Sequence, residues 1–260
     1  MLSTKKLFMS SALFSSLLFA GGDIAPVGPI VETPMVETSA WSFELSPYAS
    51  LSSISGDSGI GRAGVSEIAV NFGQISDVLK FGTAVHFEAL HNSEWGLWLD
   101  YNYVSLGGGQ PSPTGLGDIN IDIKQAVFEG LGVYRQMLQN GTFDYMAGVR
   151  SWRMKFSIDA PLGNKIVDER WVDFVVGARW TTQLSENWKF MLRGDVGTGD
   201  SDFTATAATG FRYTINEWLD FDIQYKALWV DYETGTEGTQ GHFKYDTVTY
   251  GPIIGLNFKF

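Results

Sequence analysis

From Phe81 onward, apolar and polar residues alternate with period two, in one segment of strand length after another. Trp95, Leu97, Leu99, Tyr101 and Tyr103 stand opposite Trp98, Asp100 and Asn102. Phe143, Tyr145, Ala147 and Val149 oppose Asp144, Gly148 and Arg150, and Val172, Phe174, Val176, Ala178 and Trp180 oppose Asp173, Gly177, Arg179 and Thr181. The same holds for Trp188, Phe190 and Leu192, for Phe203 to Tyr213, and for Leu219 to Trp229. In the last stretch Ile254, Leu256, Phe258 and Phe260 face one way, and Gly255, Asn257 and Lys259 the other. Period two marks a strand, and an apolar face backed by a polar one suits a strand with lipid on one side and a polar lumen on the other. A soluble β-sandwich would alternate too, with its apolar faces packed inward.

The connections separate these readings. Short turns alternate with longer stretches at 105–118, 157–170 and 233–243, as in barrels with tight turns at one end and larger loops at the other. The short turns also run into an aromatic residue: Trp95, Phe143, Trp188 and Trp218. With Phe258 and Phe260 these form an expected membrane-interface girdle, because Trp and Phe favour the headgroup boundary. A sandwich offers no common cause for that placement.

An earlier strand starts at Trp41, followed by a glycine-rich segment, Ser55 to Arg62, that lacks the Lys-Ser/Thr and following helix of a phosphate-binding loop. Glu67 to Phe72 alternates only briefly, and Gln74 to Lys80 has helical spacing. The expectation is that 55–80 forms one external excursion or an inward-folded segment. Ile119 to Gln136 reads as a strand with a face switch near Gln125-Ala126. Parity, with the last strand ending in the periplasm, predicts an all-β fold: a transmembrane antiparallel up-and-down β-barrel of about ten strands with a polar, charged lumen. Eight or twelve strands are compatible with the same pattern.

Residues 1–22 have the layout of a cleaved signal peptide, with Lys5 and Lys6 before the apolar core Leu7 to Ala20 and small residues after it. The core is shorter than the ~18–20 residues a membrane-spanning helix requires. Residues 23–40 hold Pro26, Pro29 and Pro34 and read as a periplasmic linker, leaving 41–260 for the barrel. There are no cysteines, which excludes disulfides, thiolate metal sites, a lipoprotein anchor and a thiol nucleophile. Removing Lys5 and Lys6 takes the formal charge from −11 to −13, so nucleic acid is an unsuitable partner.

The signal, the Trp41 strand, the aromatic-ended turns and the terminal strand with Tyr250, Leu256, Phe258 and Phe260 resemble the small outer-membrane β-barrel proteins of Gram-negative bacteria. The resemblance covers 41–260. It implies residence in the outer membrane as a monomer, contact with its lipid and lipopolysaccharide, and recognition of the closing strand by the barrel-assembly machinery.

On the inward face the pattern collects Glu88, Asp100, Asp122, Glu129, Asp144, Asp173, Asp195, Asp220 and Asp222, against Lys124, Arg135, Arg150, Arg179, Arg193, Arg212, Lys226 and Lys259. Opposite charges in a restricted interior pair, which points either to a salt-bridged, nearly shut core or to a thin water-filled path. The leading expectation is a narrow or gated channel for small solutes. The alternative is a non-conducting structural or surface-interaction barrel, with a hydrolase the weakest reading. The His91-x-Ser93 pair is similar to the spacing of outer-membrane lipid A deacylases but falls in a turn with no third carboxylate, and His242 stands near an acidic outer rim. No catalytic residues, metal ligands or cofactors are expected.

Overall fold

A computed structural model describes residues 39–111, 117–160 and 163–260. The expected signal peptide (1–22) and nearly all of the expected linker (23–40) lie outside the described residues. The strands are β1 (Trp41–Ser50), β2 (Ser53–Ile60), β3 (Val65–Val70), β4 (Leu79–His91), β5 (Trp95–Pro111), β6 (Asp118–Leu138) and β7 (Gly141–Ala160). They continue with β8 (Gly163–Gln183), β9 (Trp188–Gly199), β10 (Phe203–Asn216), β11 (Leu219–Thr234) and β12 (Phe243–Lys259). One helix, α1 (Phe72–Val78), interrupts the sequence of strands.

Every neighbouring pair is antiparallel, and β1 closes the sheet on β12, from Glu44 opposite Lys259 to Ser50 opposite Ile253. Closure leaves no sheet edge at that join, which a lipid environment requires because it cannot satisfy free backbone groups. Twelve strands make ten staves. β2 continues β1 along the upper half of β12, from Ser53 opposite Tyr250 to Ile60 opposite Phe243. β3 descends beside β2, and β4 completes the descent beside β1. The first stave is broken at Leu51-Ser52 and the second by α1.

This corrects the reading of 55–80: it is largely wall, not an excursion, and β3, which holds Glu67 to Val70, is the upper half of a divided stave. The helix is set by its N-terminus. Asn71 Oδ1 accepts from the Gln74 N–H and Gln74 Oε1 accepts from the Asn71 N–H, each at 3.0 Å, a reciprocal capping box.

Two further expectations change. β5 to β8 run on past the expected loops: β7 and β8 stay paired as far as Ala160 opposite Gly163, so 157–170 is largely a β-ribbon. β6 pairs with β5 and β7 without a register shift, so there is no face switch at Gln125-Ala126. Asp122 and Lys124 therefore point outward, not into the lumen, and the inward positions are Val127, Glu129, Leu131 and Val133. Glu129 keeps its expected face. Outward charge is tolerated there because it lies above the apolar band, where water and headgroups replace hydrocarbon.

The outer band carries exposed Phe174, Val176, Leu192, Val196, Ile223, Tyr225 and Leu256. Above it, Asp231, Asp246, Asp57 and Glu67 stand side by side across four strands and mark its upper edge. At the short-turn end a belt of aromatics runs round the barrel. Trp95 meets Tyr134, Phe143 meets Tyr145, Trp188 meets Tyr213, and Trp218 stacks on Phe258. Phe260 stacks on Phe43.

Candidate functional site: a charged floor beneath an apolar cavity

Strand parity turns acids and bases from many staves into the lower lumen, where they meet within hydrogen-bonding distance. Arg179 donates to both oxygens of Glu88, at 2.9 and 3.0 Å, and through Nε to Asp144 at 2.8 Å. Arg135 reaches the same two carboxylates, each at 2.7 Å. Beside them, Arg150 donates to Glu129, Asp195, Thr204 and Thr206, and Arg193 donates to Glu129 at 2.8 Å and Asp195 at 2.7 Å. A third group lies nearer the short-turn end: Arg212 bridges Glu44 and Asp222 at 2.7 Å, and Lys259 donates to Asp220 at 2.8 Å. Asn257 links Glu44 to Ser46.

Trp98 is wedged between the first two groups, with the Arg179 and Arg193 guanidinium carbons each 4.8 Å from its ring. His86 packs on the same ring. Arg150, Asp144 and Asp173 have no exposed surface at all. Leu131, Val133, Met146 and Val175 fill the space between the ionic groups. Charges so desolvated hold only because each guanidinium finds several acceptors, and removing one partner strands the others. The floor is therefore a salt-bridged constriction that encloses a cavity of only about 70 Å³ between Arg179, Arg193, Arg212 and Asp222.

Of the residues expected to line the lumen, Glu88, Asp100, Glu129, Asp144, Arg150, Asp173, Arg179, Arg193, Asp195, Arg212, Asp220, Asp222 and Lys226 point inward. Most join the ionic groups. Asp173 instead accepts from the Ser201 N–H, and Asp100 from the Tyr48 hydroxyl at 2.9 Å. Lys226 has no carboxylate within ion-pair distance among the described residues. Asp122 pairs with Lys80 outside the barrel, and Lys124 is exposed. Glu44 and His86 were not among the charges collected from the sequence, although parity places both inward.

Above the floor the lumen changes character. Trp152 stacks on Trp171 and Trp171 on Tyr232, at 5.4 and 4.2 Å between ring centroids. Phe243 and Tyr245 complete a buried cluster with Met154, Leu228 and Val230. This cluster fills the side of the lumen formed by β7, β8, β11 and β12. On the other side, toward β1 to β5, a cavity of about 520 Å³ remains. Ile68, Val127, Met154, Phe156, Leu228 and Ile253 line it, and its base carries Tyr48, Asp100, Asn102 and Lys226. A mostly apolar hollow of this size with a few convergent polar groups has the character of a small-molecule site.

The candidate hydrolytic residues are placed by local needs. Ser93 Oγ is 2.7 Å from His91 Nδ1 in an exposed turn, and the Ser93 N–H donates to the same nitrogen, so the imidazole caps the turn. His242 Nε2 lies 2.9 Å from Glu233 in the outer β11–β12 hairpin, where that contact and Lys244 hold the Glu233 carboxyl below its usual range. Among the described residues no group of His, Cys, Asp and Glu is arranged to hold a metal ion.

A closed antiparallel barrel with an apolar outer band and a polar interior defines a transmembrane β-barrel of the outer-membrane class. Residues 120–252 match the family described as "Protein of unknown function, DUF481", and the chain belongs to that family. No curated protein matches it. Solved structures with a similar fold include Ail, the attachment invasion locus protein of Yersinia pestis, in complex with the heparin analogue sucrose octasulfate. Its identity is 10%, with 86% of this chain and 100% of that chain covered and a TM-score of 0.42. The translocator domain of autotransporter NalP from Neisseria meningitidis is 10% identical, covering 87% and 90%, with a TM-score of 0.48. The P. putida toluene transporter TodX is 10% identical, covering 85% and 90%, with a TM-score of 0.30.

Proposed function

We propose that this outer-membrane barrel takes a small, mainly hydrocarbon molecule into its upper lumen and does not conduct ions along its axis in the state described. The observation that carries the reading is the apolar cavity of about 520 Å³ seated on the salt-bridged floor. Hydrocarbon gains about 25 cal/mol per Å² on leaving water, and the Tyr48, Asp100, Asn102 and Lys226 base can accept one polar group of a ligand. A narrow solute channel is compatible only as a gated form, because the ionic groups around Arg179, Arg193 and Arg212 narrow the lower lumen to a cavity of about 70 Å³. In this reading the short-turn end faces the periplasm and the tall hairpins face outward, with lipopolysaccharide around them. The expected signal peptide, the monomeric state and recognition of β12 by the assembly machinery belong to the same proposal.

The test pairs two measurements on purified barrel. Planar-bilayer recordings should show no steady conductance. An apolar fluorescent dye, N-phenyl-1-naphthylamine, should bind in detergent with a saturable signal that Leu228→Arg abolishes. Steady ion conductance together with dye binding indifferent to Leu228→Arg would overturn the reading in favour of an open pore.

A second reading has one observation behind it. The β7–β8 ribbon remains paired to Ala160 and Gly163, beyond the apolar band, and presents a surface that a partner could grip. Deleting 157–166 should leave dye binding intact under the first reading.

A further inference from the structure

The wall of the barrel is interrupted beside the cavity. β1 and β4 pair from Trp41 opposite His91 only as far as Pro47 opposite Val85. Above that point Leu79 to Ala84 bond to β5 alone, and β3 bonds to β2 alone. Between Tyr48 to Ser52 on one side and Leu79 to Thr83 on the other, no ladder closes the sheet. The chain bridges the break with α1.

The break and the cavity are continuous. Leu51, Val70, Phe72, Ile75 and Leu79 at the break line the same hollow as Met154 and Leu228 in the lumen. Phe72 and Leu79 are exposed as well as cavity-lining. The aromatic cluster occupies the opposite half of the lumen, so the free volume is pushed toward this side.

The height of the break is also informative. The outward residues beside it are Phe81 and Tyr103, whose rings meet at 6.0 Å. Immediately above stand Lys80 and Asp122, joined in an ion pair across Gly107. An apolar row beneath a charged row is the boundary between hydrocarbon and headgroups. Open strand edges are not tolerated deep in hydrocarbon, but they can persist at this boundary, where headgroups and water reach them. The Phe72 N–H already borrows the Ser53 hydroxyl, at 3.2 Å.

We infer that the cavity is loaded sideways. A small, largely hydrocarbon molecule dissolved in the bilayer passes between the β1–β2 junction and the start of β4, beneath α1, and does not travel along the barrel axis. This rests on the cavity being a ligand site, as proposed above. The substrate class is thereby narrowed to molecules that partition into membrane.

The chain has no cysteine, so one introduced thiol can report access to the cavity. The experiment uses the full barrel in lipid nanodiscs carrying Met154→Cys. Membrane-soluble N-(1-pyrenyl)maleimide should label the thiol, while a charged, water-soluble methanethiosulfonate should not. Covering the outer mouth of the break with Val85→Trp, or with Phe81→Trp should the first variant fail to fold, should slow pyrenylmaleimide labelling by about tenfold or more, since neither residue lines the cavity. N-phenyl-1-naphthylamine binding in detergent, where no bilayer limits access, should persist. Labelling unchanged by both tryptophans, or labelling as fast from water as from lipid, would overturn lateral loading while leaving the cavity as a ligand site. Absence of dye binding in the parent barrel would instead overturn the ligand-site reading itself.

Discussion

The lower and upper halves of the lumen are built from the same alternating strands, yet they differ in almost every physical respect. Below, polyvalent guanidinium–carboxylate groups leave a cavity of only about 70 Å³ between them. Above, the inward positions on those staves switch to Trp, Tyr, Phe, Leu and Met, and a hollow remains. On β7 the change takes one step of the alternation, from Arg150 to Trp152. On β11 it lies between Asp222 and Leu228, with Gln224 and Lys226 between them. The lower half spends its side chains on one another and is nearly shut. The upper half leaves apolar surface unpaired and can take a guest.

This contrast can be broken most forcefully from below. Arg179→Met should leave the buried Glu88 and Asp144 carboxylates with Arg135 alone and cost about 3 kcal/mol, read as a lowered urea midpoint for the barrel folded into vesicles. The double variant Arg179→Met with Glu88→Gln should recover part of that loss, because the stranded charge goes too. A single variant as stable as the parent would show the floor to be a set of independent, weak pairs.

From above, the effect should be smaller in stability and larger in binding. Leu228→Ala enlarges a hollow that already exists, so a loss near the low end of the Leu→Ala range is expected, about 2 kcal/mol by the same unfolding measurement. Affinity for N-phenyl-1-naphthylamine should change in that variant and remain unchanged in Arg179→Met wherever the latter folds.

The smallest change sharpens the boundary between the halves. Lys226 lines both the cavity base and the floor and has no carboxylate within ion-pair distance among the described residues, so Lys226→Met should alter stability by no more than about 0.5 kcal/mol. If the guest carries an anionic group, competition by a fatty carboxylate against the dye should weaken in this variant. Equal competition in parent and variant would assign the polar base to neutral groups.

Much of this architecture was legible in advance, for a definite reason. Strand parity is local, so the outward set Val172 to Trp180 and the inward set Asp173 to Arg179 could be read without knowing any partner. Closure into ten staves also followed, because short turns and long hairpins alternate. The misplaced faces on β6 share one cause. Outward was equated with lipid along whole strands, so the charges Asp122 and Lys124 were turned inward and a face switch was inserted to accommodate them. The strands in fact rise above the hydrocarbon, where an outward charge is ordinary. Trp152 and Trp171 carried an unused signal: their parity was inward, against the expectation of a uniformly polar lumen.

By itself, the sequence determined the strand periodicity, the barrel class, the aromatic belt and the face assigned to nearly every ionisable residue, since these depend on neighbours one or two positions away. Only the tertiary structure decided that the charges lock into a constriction, that the first two staves are each broken, and that the breaks lie beside the one half of the lumen left hollow. Those features come from residues far apart in sequence, such as Leu51, Leu79, Met154 and Leu228, meeting around a common space. No local pattern encodes which side of a closed barrel its side chains fail to fill.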